Sequence, residues 1–274
     1  MDATSIIAYN YIMFGFLIKK NFFDVWDNMF RAALLNLGFL VSAAIPIFIP
    51  YLLSSIPVLG IISMGLGILW CCVYLAAAAQ TMKTVSDYGT FGFADFFNSL
   101  KIAWPAGLVL GAIILVMVIL ITIAIPFYLD MNSIFGLMLA SVIFWLMVVA
   151  LLSLQFFLVI RARLDSRLPK ALKKCFLIFF DNTFFVIGVF ICNIIMLVLS
   201  TLLAFLFPGP AGIILFTDEA LRLRLMKYDW LEENPPGEGE NPKKRKIPWD
   251  ALLIDEREKT GTRTLRNFIF PWKD

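Results

Sequence analysis

The chain has 274 residues, of which 61% are hydrophobic and 16% charged, with a formal net charge of +3. Soluble domains sit near half apolar and about a quarter charged, so this excess of apolar surface excludes a single water-exposed globule. The small net charge implies no nucleic-acid partner. Histidine does not occur, which removes the commonest general base and the commonest transition-metal ligand together.

In chain order, residues 1–31 come first. Met1 is followed by Asp2, and the apolar stretch from Ile6 to Ile18 ends at Lys19 and Lys20 without a small-residue cleavage site. It reads as an interfacial or packed helix instead of a leader. Tyr9, Tyr11, Phe14 and Phe16 suit a headgroup boundary.

A helix needs about 20 apolar residues to cross the hydrocarbon. Five stretches meet this without a charge: Ala32–Leu53, Ile56–Ala79, Trp104–Ile125, Ile134–Ile160 and Phe184–Phe207. Backbone groups left unpaired in lipid are costly, so each is expected to be helical. Ile134–Ile160 holds eighteen Leu, Ile, Val or Phe, worth about −5 to −11 kcal/mol on an insertion scale. Ser54 and Ser55 join the first two spans tightly, and Pro126–Ser133 is expected to loop between the third and fourth.

Neither of those connections carries Lys or Arg, whereas the alternate ones carry eleven: Lys19, Lys20, Arg31, Lys83, Lys101, Arg161, Arg163, Arg167, Lys170, Lys173 and Lys174. The positive-inside rule therefore puts the N-terminus in the cytoplasm. The other twelve basic residues follow the fifth span. To return them to the same side, Pro208 to about Trp230 is read as a sixth, sheltered segment. It is a poor span alone: seven Leu, Ile, Val or Phe offer about −2 to −4 kcal/mol, while Asp218, Glu219, Arg222 and Arg224 cost about 2.5–3.5 kcal/mol each if central. An i,i+4 pair between Asp218 and Arg222 is expected to ease that cost.

Three amphipathic stretches share a plan. Phe22, Val25, Trp26, Met29 and Ala33 follow i, i+3, i+4, i+7, i+11; Phe93, Phe96, Phe97, Leu100 and Trp104 repeat it; Leu172, Cys175, Phe176 and Phe179 follow it more loosely. Each is expected to run straight into a span. The fold is thus an all-α, polytopic transmembrane bundle of five spans and a return segment, built from three pseudo-repeated units. Its divisions are residues 1–31, 32–230, a flexible basic linker at 231–247, and a docking segment at 248–274. In the linker, Lys243, Lys244, Arg245 and Lys246 are set to meet anionic lipid. In the last segment, Trp249, Phe268, Phe270 and Trp272 are the apolar groups expected to dock.

Certain stretches resemble a known family. They are Phe96-Phe97-Asn98-Ser99-Leu100-Lys101, Leu154-Gln155-Phe156-Phe157 leading to Arg161, Leu168–Asn182 with Lys173-Lys174, and Gly209-Pro210-Ala211-Gly212 before Leu221-Arg222. Over roughly residues 15–230 the chain is similar to the YesL-type bacterial integral membrane proteins, a domain of unknown function. Members are often encoded beside carbohydrate ABC transporters. The resemblance implies the bacterial cytoplasmic membrane, sugar uptake as a setting and ABC transporter subunits as partners.

The charges Asp218, Glu219, Arg222 and Arg224 are candidate functional residues, because ionisable groups inside membranes are costly. Asn36, Gln155 and Asn193 are candidate intramembrane polar contacts. Cys71, Cys72, Cys175 and Cys192 form no C-x-x-C pair and read as small hydrophobic residues. No phosphate-binding G-x-x-x-x-G-K-[ST] or nucleophile-elbow G-x-S-x-G sequence occurs. The expectation is a non-catalytic accessory or scaffold protein without a cofactor, facing the bilayer as its main partner; the alternative is a transporter or channel-like subunit that itself moves a small solute.

Overall fold

The computed structural model describes residues 3–164, 167–235 and 247–261, with side chains from residue 13 onward. All regular structure among them is helical: α1 (Ala3–Asp27), α2 (Met29–Leu52), α3 (Pro57–Ser86), α4 (Phe93–Ile119), α5 (Ile125–Asp130), α6 (Ile134–Leu154), α7 (Phe157–Leu164), α8 (Leu168–Asp181), α9 (Thr183–Leu202), α10 (Gly209–Glu233), α11 (Trp249–Leu252) and α12 (Ile254–Thr260). Five stretches are long and apolar enough to cross a membrane: Met29–Leu52, Pro57–Ser86, Phe93–Asp130, Ile134–Leu164 and Thr183–Leu202. Their outer surfaces are apolar, with Phe48, Ile61, Val116, Trp145 and Val198 exposed, while Asn36, Ser86, Ser153 and Ser200 are buried. That inversion of the usual soluble pattern is the pattern of a multi-pass membrane protein.

The chain divides into two compact units, one of Asn28–Asp218 and one of Met1–Asp27 with Glu219–Asp274. The divisions fall after Asp27 and after Asp218, and the N-terminal helix shares its unit with the tail. Most of the expected linker at 231–247, including Lys243–Lys246, lies outside the described residues, and so do Phe268, Phe270 and Trp272.

In the larger unit, α3 packs along α4 through glycines. A Cβ on Gly107 would stand 2.3 Å from the Val73 Cα, and one on Gly111 would stand 2.8 Å from the Leu69 Cδ2. Small residues let helix backbones approach in this way where no hydrophobic effect drives association. Pro46, inside α2, sits against Gly67 of α3, where a Cβ would meet it at 2.5 Å. Ser133 caps α6, its Oγ accepting from the Gly136 amide at 3.1 Å.

Two expectations are corrected. Pro126–Ser133 was expected to loop, yet the helix runs on to Asp130, through a π-helical turn at Leu120–Ala124. Proline cannot donate and its ring crowds the carbonyl four residues back; a widened turn just before Pro126 accommodates both. The amphipathic stretches also differ among themselves. Phe93–Trp104 runs straight into its span, but Phe22–Ala33 is interrupted at Asn28, and α8 is separated from α9 at Asn182.

Candidate functional site

In the larger unit Arg163 holds two carboxylates, Asp87 and Asp218. The fourth span breaks after Leu154, where the Gln155 side chain donates to the Leu152 carbonyl at 2.9 Å and the Val186 carbonyl at 3.1 Å. Helix α7 then carries Arg163 on its last turn. The guanidinium grips Asp218 with both prongs, Nε to Oδ1 at 2.8 Å and Nη2 to Oδ2 at 2.5 Å. It also donates to Asp87 Oδ1 at 3.0 Å and Ser86 Oγ at 2.8 Å, at the end of α3. The Asp218 side chain is 0% exposed. Forked pairing of this kind is both strong and geometrically specific, and it joins three segments far apart in sequence.

The partner expected for Asp218 is therefore corrected. Arg222, four residues on, pairs instead with Glu256, Nη2 to Oε1 at 2.6 Å. An i,i+4 pair gains a few tenths of a kcal/mol on a helix surface. A bidentate arginine against a buried carboxylate offsets a desolvation cost of several kcal/mol.

The three amides have distinct surroundings. Asn36, 1% exposed, donates to the carbonyls of Leu206 at 3.0 Å and Pro208 at 2.9 Å, and accepts from the Ala211 amide at 2.8 Å. It thus caps the start of α10. Gly209 there has φ +62, and any Cβ would lie 2.3 Å from the Asn36 amide nitrogen, so both the left-handed backbone and the close approach demand glycine. Gln155 and Asn193 meet: Asn193 Nδ2 donates to Gln155 Oε1 at 3.2 Å and Thr217 Oγ1 at 3.1 Å, while Asn193 Oδ1 is buried without a partner. An open cleft of about 360 Å³ lies elsewhere in this unit, lined by Gln80, Thr84, Thr90, Asp95, Asn98 and Ser99 among others.

The smaller unit has its own buried charges. Lys20 pairs with Asp24 one turn on and stands 3.5 Å from Glu219 Oε1. The guanidinium of Arg224 donates to the Met13 sulfur at 3.4 Å and lies 5.9 Å from the Trp249 ring centroid. Trp249 and Leu253 are buried, and Lys19 Nζ donates to the Gly261 carbonyl at 3.2 Å. The tail helices α11 and α12 are thereby fastened in that unit by an aromatic, an aliphatic and an ion pair.

All four cysteines are free. Burial pushes the Cys175 thiol up to about 12, so it stays protonated at neutral pH and is a poor nucleophile.

Of the residues singled out by sequence, Asp218, Glu219 and Arg222 stand beside opposite charges, Arg224 stands beside the Met13 sulfur and the Trp249 ring, and Trp249 is buried in its unit. Sequence reasoning missed Arg163, Ser86, Asp87, Lys20, Asp24 and Glu256. Lys20 and Asp24 are an acid–base pair one turn apart in an apolar helix, a signal open to detection. Arg163 was read only as part of the basic bias after the fourth span. No family model matches the chain, and no curated protein or solved structure matches it either.

Proposed function

We propose that this chain is a non-catalytic membrane protein that serves as an accessory or scaffold component beside a carbohydrate ABC transport system in the bacterial cytoplasmic membrane. The observation that carries this reading is how the charges of α10 are used. Asp218 is locked by Arg163, and Arg222 is paired with Glu256. Each ties α10 to a distant part of the chain, which suits holding a shape more than turning over a substrate. The sugar-transport setting rests on the resemblance to the YesL-type family.

In this reading five spans and a sheltered return form three pseudo-repeated units, with both termini cytoplasmic. The return need not bear the cost of four charges in lipid. Its start is capped by Asn36, seven residues, or about 10 Å, into α2. Through Arg163, its Asp218 is joined to Ser86 and Asp87 at the end of α3, close to where the basic loops begin. From Gly209 to Asp218 is about 14 Å of helix, half the roughly 30 Å of hydrocarbon. Impermeant labelling of single cysteines placed before Phe22 and after Trp230, in a variant lacking the four native cysteines, should fail from the outside and succeed after lysis. External labelling of the tail would overturn the arrangement.

Affinity purification in mild detergent tests the function. A stoichiometric ABC transporter subunit is expected with the full chain. The second reading, a solute-conducting subunit, is favoured by one observation, the unpartnered Asn193 Oδ1 in the run Gln155–Asn193–Thr217. Uptake by the purified protein alone in liposomes would establish that reading and displace the first.

A further inference from the structure

Helix α8 has two faces and two ends. Ala171, Cys175, Ile178 and Phe179 are buried, at the i, i+4, i+7, i+8 spacing of a core-facing stripe. The opposite stripe, Lys170, Lys173, Leu177 and Phe180, is exposed. Along that stripe the character changes from cationic to apolar. Arg167, Lys170, Lys173 and Lys174 crowd the first turns, while Leu177 is 56% and Phe180 69% exposed near the end. Among the described residues none of these four cations has an ion-pair partner. The helix's single acid, Asp181, is its last residue and accepts from Asn182 Nδ2 at 2.9 Å.

We propose that α8 is a docking surface for anionic phospholipid, with Arg167, Lys170, Lys173 and Lys174 at the headgroup phosphates and Leu177 and Phe180 among the upper acyl chains. Four cations with no ion-pair partner among the described residues, and no acid in the helix before its last residue, make the charge complementary to an anionic leaflet. From Lys170 to Leu177 is about 10 Å of helix, which matches the depth to which interfacial helices bury their apolar face. An acidic soluble protein would satisfy the lysines but leave Leu177 and Phe180 in water. Lipid does not, and the apolar surface continues from α8 into α9 through Phe184, Ile191 and Ile195, all exposed. The inference rests on the reading of α9 as a span with α8 on its basic side.

The test uses the full chain in mild detergent with added phosphatidylglycerol or phosphatidylcholine, bound lipid being read by native mass spectrometry. Wild type should retain phosphatidylglycerol over phosphatidylcholine. The combined Lys170→Gln, Lys173→Gln, Lys174→Gln variant should lose at least about tenfold of that retention, since each basic residue near an anionic surface contributes about a factor of five. The Lys→Arg counterpart should keep it, and millimolar inorganic phosphate should not displace it. Equal retention by the Gln variant, displacement by phosphate, or an acidic protein bound in place of lipid would each overturn the proposal. A second measurement does not depend on the Gln variant folding. Spin labels in proteoliposomes at Leu177→Cys should be reached by oxygen and at Lys173→Cys by a water-soluble nickel chelate. Equal nickel access at both would overturn the proposal. Sidedness is read separately, by impermeant labelling of the Lys173→Cys variant, so a wrong topology and a failure to bind lipid give different results.

Discussion

Helices α4 and α10 are held by opposite means. The first meets α3 through bare backbone, with Gly107 over Val73 and Gly111 over Leu69. The beginning of the second is held by side-chain chemistry, with Asn36 on its first amides and Arg163 on Asp218. An apolar helix in lipid gains little from the hydrophobic effect by meeting another, so shape must hold it. A helix bearing carboxylates has no stable place in lipid until each charge is matched, so its partners choose its position.

If that contrast is right, the largest loss comes from α10. Arg163→Ala should leave Asp218 buried without its cation and cost about 3–5 kcal/mol. The thermal midpoint in detergent should fall sharply, and the double change Arg163→Leu with Asp218→Asn should recover much of it. A single Arg163→Ala as stable as wild type would mean that the pair binds nothing together. Next comes shape. Gly107→Val should overpack the α3–α4 contact and cost about 1–3 kcal/mol, whereas Gly65→Ala, with nothing within 4 Å of its Cβ, should be neutral or slightly stabilising. Equal effects at the two glycines would show that close approach is not what holds α4. The smallest effect belongs to Asn193→Ala, about 0.6 kcal/mol, the average for a hydrogen bond between membrane helices. A large loss of solute uptake from this change, with stability kept, would move the molecule to the conducting class.

The same contrast explains what could be read in advance. The five spans were legible because a run of about 20 apolar residues is a local signal that needs no knowledge of neighbours. Their ends were less so. The third was expected to stop at Ile125, since Pro126 reads as a breaker, and a π turn carries it to Asp130. Asp218 and Arg222 stand out in the sequence as charges in an apolar setting, but their partners were not visible. Sequence spacing proposes the partner four residues away, and the true partner of Asp218 lies fifty-five residues back. The glycine contacts were hidden for the same reason: Gly107 differs from Gly65 only in what stands opposite. Trp249, singled out because an aromatic after a polar linker gains by leaving water, is buried in its unit.

Asn36 has a consequence for the order of assembly. Its side chain serves backbone groups as many as 175 residues later in the chain. A ribosome adding about 5–20 residues per second completes α2 many seconds before α10 emerges. The first span therefore enters the bilayer with an amide whose hydrogen bonds are still pending, and the last segment arrives to find its cap already waiting. Biogenesis then has a built-in sequence: α10 can settle only against a first span that is in place, and the final charges are brought in only where a receiving surface exists. A chain that loses α2 should insert its remaining apolar helices and still fail to seat its last one.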